Sequence, residues 1–446
     1  MTTTPLVALQ RPKDISLDEI EAELNAIWHS QNANTSASVA TRASTFTMVV
    51  YEPEEFQQLL AVLGFYKGAI DGIHGPMSKE AVELAQKAYE LPINGRIDLA
   101  TLERLREEVA TLPSDRLKVG NPNLLGMSIS DAIAAQNPCR IITICPTIGE
   151  DQGVTAQVSA YCPVQKSSGG NLICCEYITI RGTKEALNRV GEVITSLMIP
   201  DLPKFVWWKA TPNPEHNLFK ELVEACHCII LDTSYHSQPE LEVLKIQHLI
   251  DSGTFVADLN WHRLAPWQEL TAATFDPPER RASIYEIDRV TVDYEKGNAA
   301  QALMFLSWMA SRMGWQPTAY TETDDGIYHL KHITFDGPHG KVVEAELAAI
   351  PVAEVGEIVG DLVGIRLNST NCNANCCTIL CSETAGCMRM ESGGSAQECQ
   401  TEQVTASSDQ KAEFLLSQQL QRWGRDALYE ESLAVATQII NLRGHD

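Results

Sequence analysis

Basic residues are scarce in this chain of 446 residues, which sets 34 Lys and Arg against 58 Asp and Glu for a formal net charge of −24. That balance repels phosphate backbones and anionic lipid, so nucleic acid and membrane surfaces are excluded as natural partners. No apolar run approaches the roughly 20 residues a membrane helix needs. Met1-Thr-Thr-Thr-Pro5 lacks the basic and apolar stretches of a secretory signal, and a cytoplasmic protein is expected. Nucleotide cradles are missing too. No Gly-x-Gly-x-x-Gly follows a strand, and Gly337-Pro-His-Gly-Lys341 has the wrong spacing for a P-loop and lacks the Ser/Thr that holds magnesium. His-Glu-x-x-His and Gly-x-Ser-x-Gly are absent. Asp232, Ser234 and His236 are close in sequence, but triads assemble in space, and the cluster reads as a capped loop. His329 with His332, and Cys226-His-Cys228, lack a second pair at zinc-site spacing. The expectation is therefore a non-enzymatic chain with no catalytic residue, no cofactor and no metal.

What is present is globular: 44% apolar and 21% charged residues over a length that calls for two or three domains. Ser16-Leu-Asp-Glu19 reads as a capping box ahead of a helix to about Trp28. Residues 32–44 have linker composition, and Phe46–Tyr51 is a buried-strand candidate. From Phe56 to Leu105, three apolar stripes at helical spacing alternate with Gly68-Ala-Ile-Asp71 and Gly95-Arg-Ile-Asp98. This stretch resembles the peptidoglycan-binding type of module, through Leu63-Gly-Phe-Tyr66, Gly72, Gly75, Gln86 and Asp98. A cell-wall-binding protein is the alternative reading that this resemblance leaves open.

After the module, a helix at 128–136, a strand at Arg140–Cys145 and then alternating strands and helices predict an α/β sandwich with a partly parallel sheet. If the strand at Arg140 pairs beside Phe46–Tyr51, the module is an insertion in an α/β domain. From Arg281 the pattern changes to strands around a long helix, Asn298–Met313, followed by two C-terminal amphipathic helices. The partition is 1–53, N-terminal helix, linker and first strand; 54–120, module; 121–280, α/β domain; 281–446, α+β domain with a cysteine-rich segment at 372–399.

That segment holds Cys372, Cys376, Cys377, Cys381, Cys387 and Cys399 in a spacing that fits neither a zinc ribbon nor a plant-type iron–sulfur run. The Gly-, Ser- and Glu-rich surroundings of Cys387 and Cys399 predict an exposed, mobile stretch suited to thiol exchange, with inert thiols or a redox or metal protein as alternatives.

Asp201-Leu-Pro-Lys-Phe-Val-Trp-Trp208, Cys228-Ile-Ile-Leu-Asp-Thr-Ser234, Asp258-Leu-Asn-Trp-His-Arg263 with its continuation to Leu270, and Asn137-Pro-Cys-Arg-Ile-Ile142 form one further set of runs. Together they resemble the OpcA family, the glucose-6-phosphate dehydrogenase assembly or activator proteins, in its cyanobacterial form. The resemblance implies a non-enzymatic partner that binds the glucose-6-phosphate dehydrogenase oligomer and raises its activity in the oxidative pentose phosphate pathway. It also implies thioredoxin-linked control. Trp207, Trp208, Trp261, Arg263 and Trp267 have the composition of an interface hot spot. On a strand, Trp207 and Trp208 face opposite ways, so one of them is expected in the core.

Overall fold

A computed structural model describes residues 6–33, 40–42, 44–53, 55–66, 76–97, 99–112, 138–147, 150–163, 172–236, 238–324, 329–351, 358, 360–371, 374, 376–382, 387–393, 400–406 and 412–443. Two compact units divide between Leu231 and Asp232. Among the described residues, no helix is long and apolar enough to cross a membrane.

In the first unit, Ser16 and Glu19 form the expected capping box ahead of the helix Ile20–Ala33. The strands are β1 (Leu6–Ile15), β2 (Ala40–Arg42), β3 (Phe46–Tyr51), β4 (Cys139–Pro146), β5 (Thr155–Pro163), β6 (Leu172–Gly182), β7 (Lys204–Trp208) and β8 (Cys228–Leu231). They lie in the order β1-β5-β6-β4-β3-β7-β8, with β2 on β6. β6, β4, β3, β7 and β8 pair in parallel, whereas β5 runs antiparallel to both of its neighbours, β6 and β1. Counted along the chain, the parallel strands run third, second, first, fourth, fifth, the half-order of a doubly wound nucleotide-binding fold. β3 is buried at every residue, as an unbroken Phe-Thr-Met-Val-Val-Tyr run on a strand covered on both faces should be.

The chain leaves this sheet after Tyr51 and returns at Cys139, and the two strands are parallel neighbours with Val49 opposite Ile142. Between them stand the helices Glu55–Val62, Pro76–Ala88 and Leu99–Ala110. The module is thus an insertion in the first crossover of an α/β sheet. Phe56, Leu60, Val82, Ala85, Leu102 and Leu105 form its core. Gln86, fully buried, donates to Asn94 Oδ1, the Arg96 carbonyl and Thr101 Oγ1, and accepts from the backbone N–H groups of Asn94 and Gly95. One side chain therefore fixes the turn in which Gly95 has φ +64°. The helix expected at 128–136 lies outside the described residues.

In the second unit, β9 (Val256–Asp258) precedes β10 (Arg289–Glu295), β11 (Gln316–Asp324), β12 (His329–Asp336), β13 (Val342–Ile350), β14 (Leu362–Asn368), β15 (Cys376–Ser382), β16 (Cys387–Gly393) and β17 (Gln400–Ala406). β10 to β17 form one sheet, β11-β12-β13-β10-β14-β15-β16-β17. Only β10 and β13 pair in parallel. The helix Ala300–Met313 lies between β10 and β11 in the chain and packs against Ala427–Leu442. The architecture is a module-bearing α/β unit followed by an α+β unit with C-terminal helices.

Several local expectations need correction. Lys184–Ser196, which reads as one helix in the sequence, is two short helices, Lys184–Asn188 and Gly191–Ser196, because the backbone leaves helical geometry at Val190 (φ −116°, ψ 16°). Ser283–Asp293 reads as one strand in the sequence, but the strand starts at Arg289, after a 3-10 turn over Arg281–Glu286. The cysteine-rich stretch, for which no regular element is expected from sequence, contains β15 and β16. Cys387 opens β16, opposite Ser382 on one side and Ala406 on the other.

Candidate functional site

Open α/β sheets bind ligands beyond the carboxyl ends of their strands, where the strand order reverses. Here that crevice lies between β3 and β7. Tyr51 ends β3 and Trp208 ends β7, and their rings stack with centroids 3.7 Å apart and 9° between planes. The next residue of each strand makes an ion pair, Lys209 Nζ to Glu52 Oε2 at 2.5 Å, with the side chains only 7% and 12% exposed. The Lys209 ammonium also lies 4.9 Å over the Trp207 ring. A dinucleotide site needs a glycine turn at this place. This chain has Glu52-Pro53, a carboxylate and a residue with no N–H. Its own side chains occupy the nucleotide crevice.

Arg140, from the Asn137–Ile142 run, is buried on β4. It donates to Glu176 on β6 at 2.8 Å, to Glu21 on the first helix and to the Leu197 carbonyl at 2.7 Å. Trp28 Nε1 takes the other oxygen of Glu176 at 2.7 Å. The run thus pins the N-terminal helix to the sheet.

The second unit holds a larger buried polar network, built from the Asp232–Ser234 and Asp258–Arg263 runs. Asp232 caps the 3-10 turn Thr233–Tyr235 and accepts two hydrogen bonds from Arg263, at 2.7 and 2.8 Å, and one from Ser234 Oγ at 2.6 Å. The Ser234 hydroxyl points at a carboxylate that is already occupied by a guanidinium, which is capping geometry and not the arrangement of an activated nucleophile. Asp258 caps the helix Leu259–His262 and accepts from Asn260 N, Thr233 N and Thr233 Oγ1. Asn260 and Gln301 carry the network onward to Asp361. Asn298 Nδ2 donates to the carbonyls of Thr233, Ser234 and His236.

Burial, and after it the nearby Asp232 carboxylate, push the Asp258 carboxyl up to about 6. A carboxyl that holds its proton more tightly folded than unfolded stabilises the fold fully below its unfolded value, near 4. That contribution is lost as pH rises through about 6. The wild-type chain should therefore lose on the order of 3 kcal/mol relative to Asp258→Asn across this window. Denaturant unfolding of both proteins at a series of pH values reads it, and parallel stability curves would refute it.

All five hot-spot candidates are interior. Trp207 and Trp208 are each 2% exposed, Trp261 5%, Arg263 6% and Trp267 6%. Trp261 donates to Asp426 at 3.0 Å. The expectation that one of Trp207 and Trp208 is core holds for both. A docking surface has to be sought elsewhere. Among the candidate cysteines, Cys376, Cys377 and Cys381 lie on β15 and Cys387 on β16, while Cys372 and Cys399 lie outside the described residues. Cys145 and Cys226 form no disulfide, and burial pushes their thiols up to about 12, away from thiolate chemistry. Among the described residues, no group of three or more His, Cys, Asp or Glu is placed to hold a metal ion. His329 and His332 instead face Glu322 and Glu346, at 3.7 and 3.5 Å.

Comparison with known proteins finds family matches along most of the chain. Residues 130–248 match the glucose-6-phosphate dehydrogenase subunit N-terminal domain, 254–433 its C-terminal domain, and 51–105 a peptidoglycan binding domain. Among solved structures, UDP-N-acetylglucosamine 3-dehydrogenase GnnA from Acidithiobacillus ferrooxidans overlaps at a TM-score of 0.35 and 14% identity, over 58% of this chain and 86% of that one. So low a score carries no functional argument. The OxPP cycle protein OpcA of Synechococcus elongatus is 52% identical over 444 residues, which cover 100% of this chain and 99% of that protein. The OxPP cycle protein OpcA of Nostoc punctiforme is 53% identical over 452 residues, covering 99% and 97%. With both subunit domains matched in order and identity above half from end to end, this chain belongs to the OpcA family.

Proposed function

We propose that this chain is a cytoplasmic, non-enzymatic partner of glucose-6-phosphate dehydrogenase that raises the enzyme's activity in the oxidative pentose phosphate pathway. The observation that carries the reading is the end-to-end match to OxPP cycle proteins, including both dehydrogenase-subunit domains. The occupied switch-point crevice supports a binding role over catalysis, since nothing there presents a glycine turn to a dinucleotide. Activation requires that the chain bind the active arrangement of the enzyme better than the inactive one, and each tenfold preference corresponds to about 1.4 kcal/mol.

Control by thioredoxin-type exchange belongs to the same proposal. Three of the six tail cysteines lie on β15 and a fourth on β16, where Cys381 is opposite Met388 and Ser382 opposite Cys387. A bond formed or broken among the six alters the last hairpins of the second sheet, and with them any surface those hairpins offer. Titrating the oxidised chain into the cognate dehydrogenase at sub-saturating glucose 6-phosphate should raise the rate. Prior treatment with a dithiol should diminish that rise, and Cys387→Ser or Cys399→Ser should abolish the difference. A rate unchanged by either redox form would end the activator reading. A rise that both mutants leave equally redox-sensitive would move the switch to Cys372–Cys381.

A further inference from the structure

A cavity of about 410 Å3 opens in the second unit, within the range of roughly 300–1,000 Å3 typical of small-ligand sites. Its wall carries three fixed cations, Lys296, Lys331 and Arg443, and the His329 imidazole, against one carboxylate, Glu240. In a chain of net charge −24 this is a local reversal of sign. Glu240 pairs with both Lys331 and Arg443. Glu322, behind them, pairs with the same two at 3.5 and 3.0 Å. These carboxylates hold the two cations in position. Lys296 is exposed and makes no ion pair among the described residues, so its charge is uncompensated.

The backbone adds to this field. Two helices begin at the cavity, Pro239–Asp251, with Glu240 and Glu242 in its first turn, and Ala300–Met313, where Asn298 Oδ1 accepts from Ala300 N at 2.8 Å. The second helix has no acidic residue in its first turn. Helix N-termini attract anions. Gly297, at φ +145°, contributes backbone to the wall with no side chain in the way. Tyr294 completes the polar lining, and burial followed by the Glu240 and Glu322 charges raises its phenol, which therefore stays a donor.

We propose that this cavity binds a small phosphate-bearing anion, with Lys296, Lys331 and Arg443 meeting the phosphoryl group. The inference is independent of the dehydrogenase reading, because it concerns a pocket closed by the second unit's own elements. Concavity and size favour a small molecule over an acidic protein segment. Isothermal titration of the full chain with inorganic phosphate, a hexose phosphate and the uncharged hexose tests it. One saturable site is expected for a phosphate compound and none for the hexose, and whichever of the two phosphates binds tighter identifies the source of the anion. Lys296→Glu should weaken binding at least tenfold with an unchanged circular dichroism spectrum. Lys220→Glu, an equal charge change at an exposed position in the first unit, should leave binding unaltered. Absence of saturable binding by the wild-type chain would overturn the proposal, as would equal weakening in both variants or none in Lys296→Glu.

Discussion

Replacing Arg263 by leucine will destabilise the fold by about 3–5 kcal/mol, the usual cost of removing one partner from a buried ion pair. Arg263 and Asp232 are each 4% exposed at the side chain, and two hydrogen bonds of 2.7 and 2.8 Å join them. Without the guanidinium, Asp232 keeps Ser234 as a neutral donor, too little for an ionised carboxylate out of water. The loss then spreads, since Arg263 also reaches Ser234 Oγ and Asn260 Oδ1. Adding Asp232→Asn should recover a substantial part, because the amide carries no charge to strand. Denaturant titration followed by tryptophan fluorescence measures all three proteins. A loss below about 1 kcal/mol would mean that the pair is solvated and the network dispensable.

A second large effect is expected at Gly360, where alanine should cost at least about 3 kcal/mol. Its φ is +87°, and a Cβ there would lie 2.0 Å from the Asn298 carbonyl oxygen and 2.8 Å from its carbon. Both are backbone atoms that cannot rotate away. Moving them drags Asn298 from the three carbonyls it holds at Thr233, Ser234 and His236. Gly340 is the control, with φ +76° and open space around the missing Cβ, so alanine there should cost only about 1–2 kcal/mol of backbone strain. Equal losses in the two variants would show that conformation alone, not the contact with Asn298, sets the cost at Gly360.

The sequence showed most where local pattern and tertiary role coincide. β3 and β4 are short runs rich in buried apolar residues, and the module's three stripes and its Gln86 announced a closed helical core. The family-bearing runs were visible as text, but their task was not. Arg263 between Trp261 and Trp267 looked like a contact surface, whereas its partner Asp232 lies 31 residues away in the chain and only folding brings them together. The helix Ala265–Phe275 shows no clear stripe in the sequence, because Thr271 and Thr274 stand on its buried face and interrupt the apolar pattern, their hydroxyls turned back to the carbonyls of Trp267 and Leu270. Around Cys387 the glycines and serines have loop composition, while Met388-Arg-Met-Glu391 alternates as a strand does. The pattern changes at Arg281, while the contacts divide at Leu231. The helices between those points look alike in sequence whichever unit they serve.

The position of the helical module bears on the order in which the chain acquires structure. β3 and β4 are adjacent central strands, yet the whole stretch from Glu52 to Pro138 separates them in sequence. Closing a loop of that length as open coil is entropically expensive and comes late. A module whose own contacts are local needs no part of the sheet to close its core, and once folded it shortens the effective loop between β3 and β4. The inserted element then lowers the entropic cost of pairing the two strands that flank it.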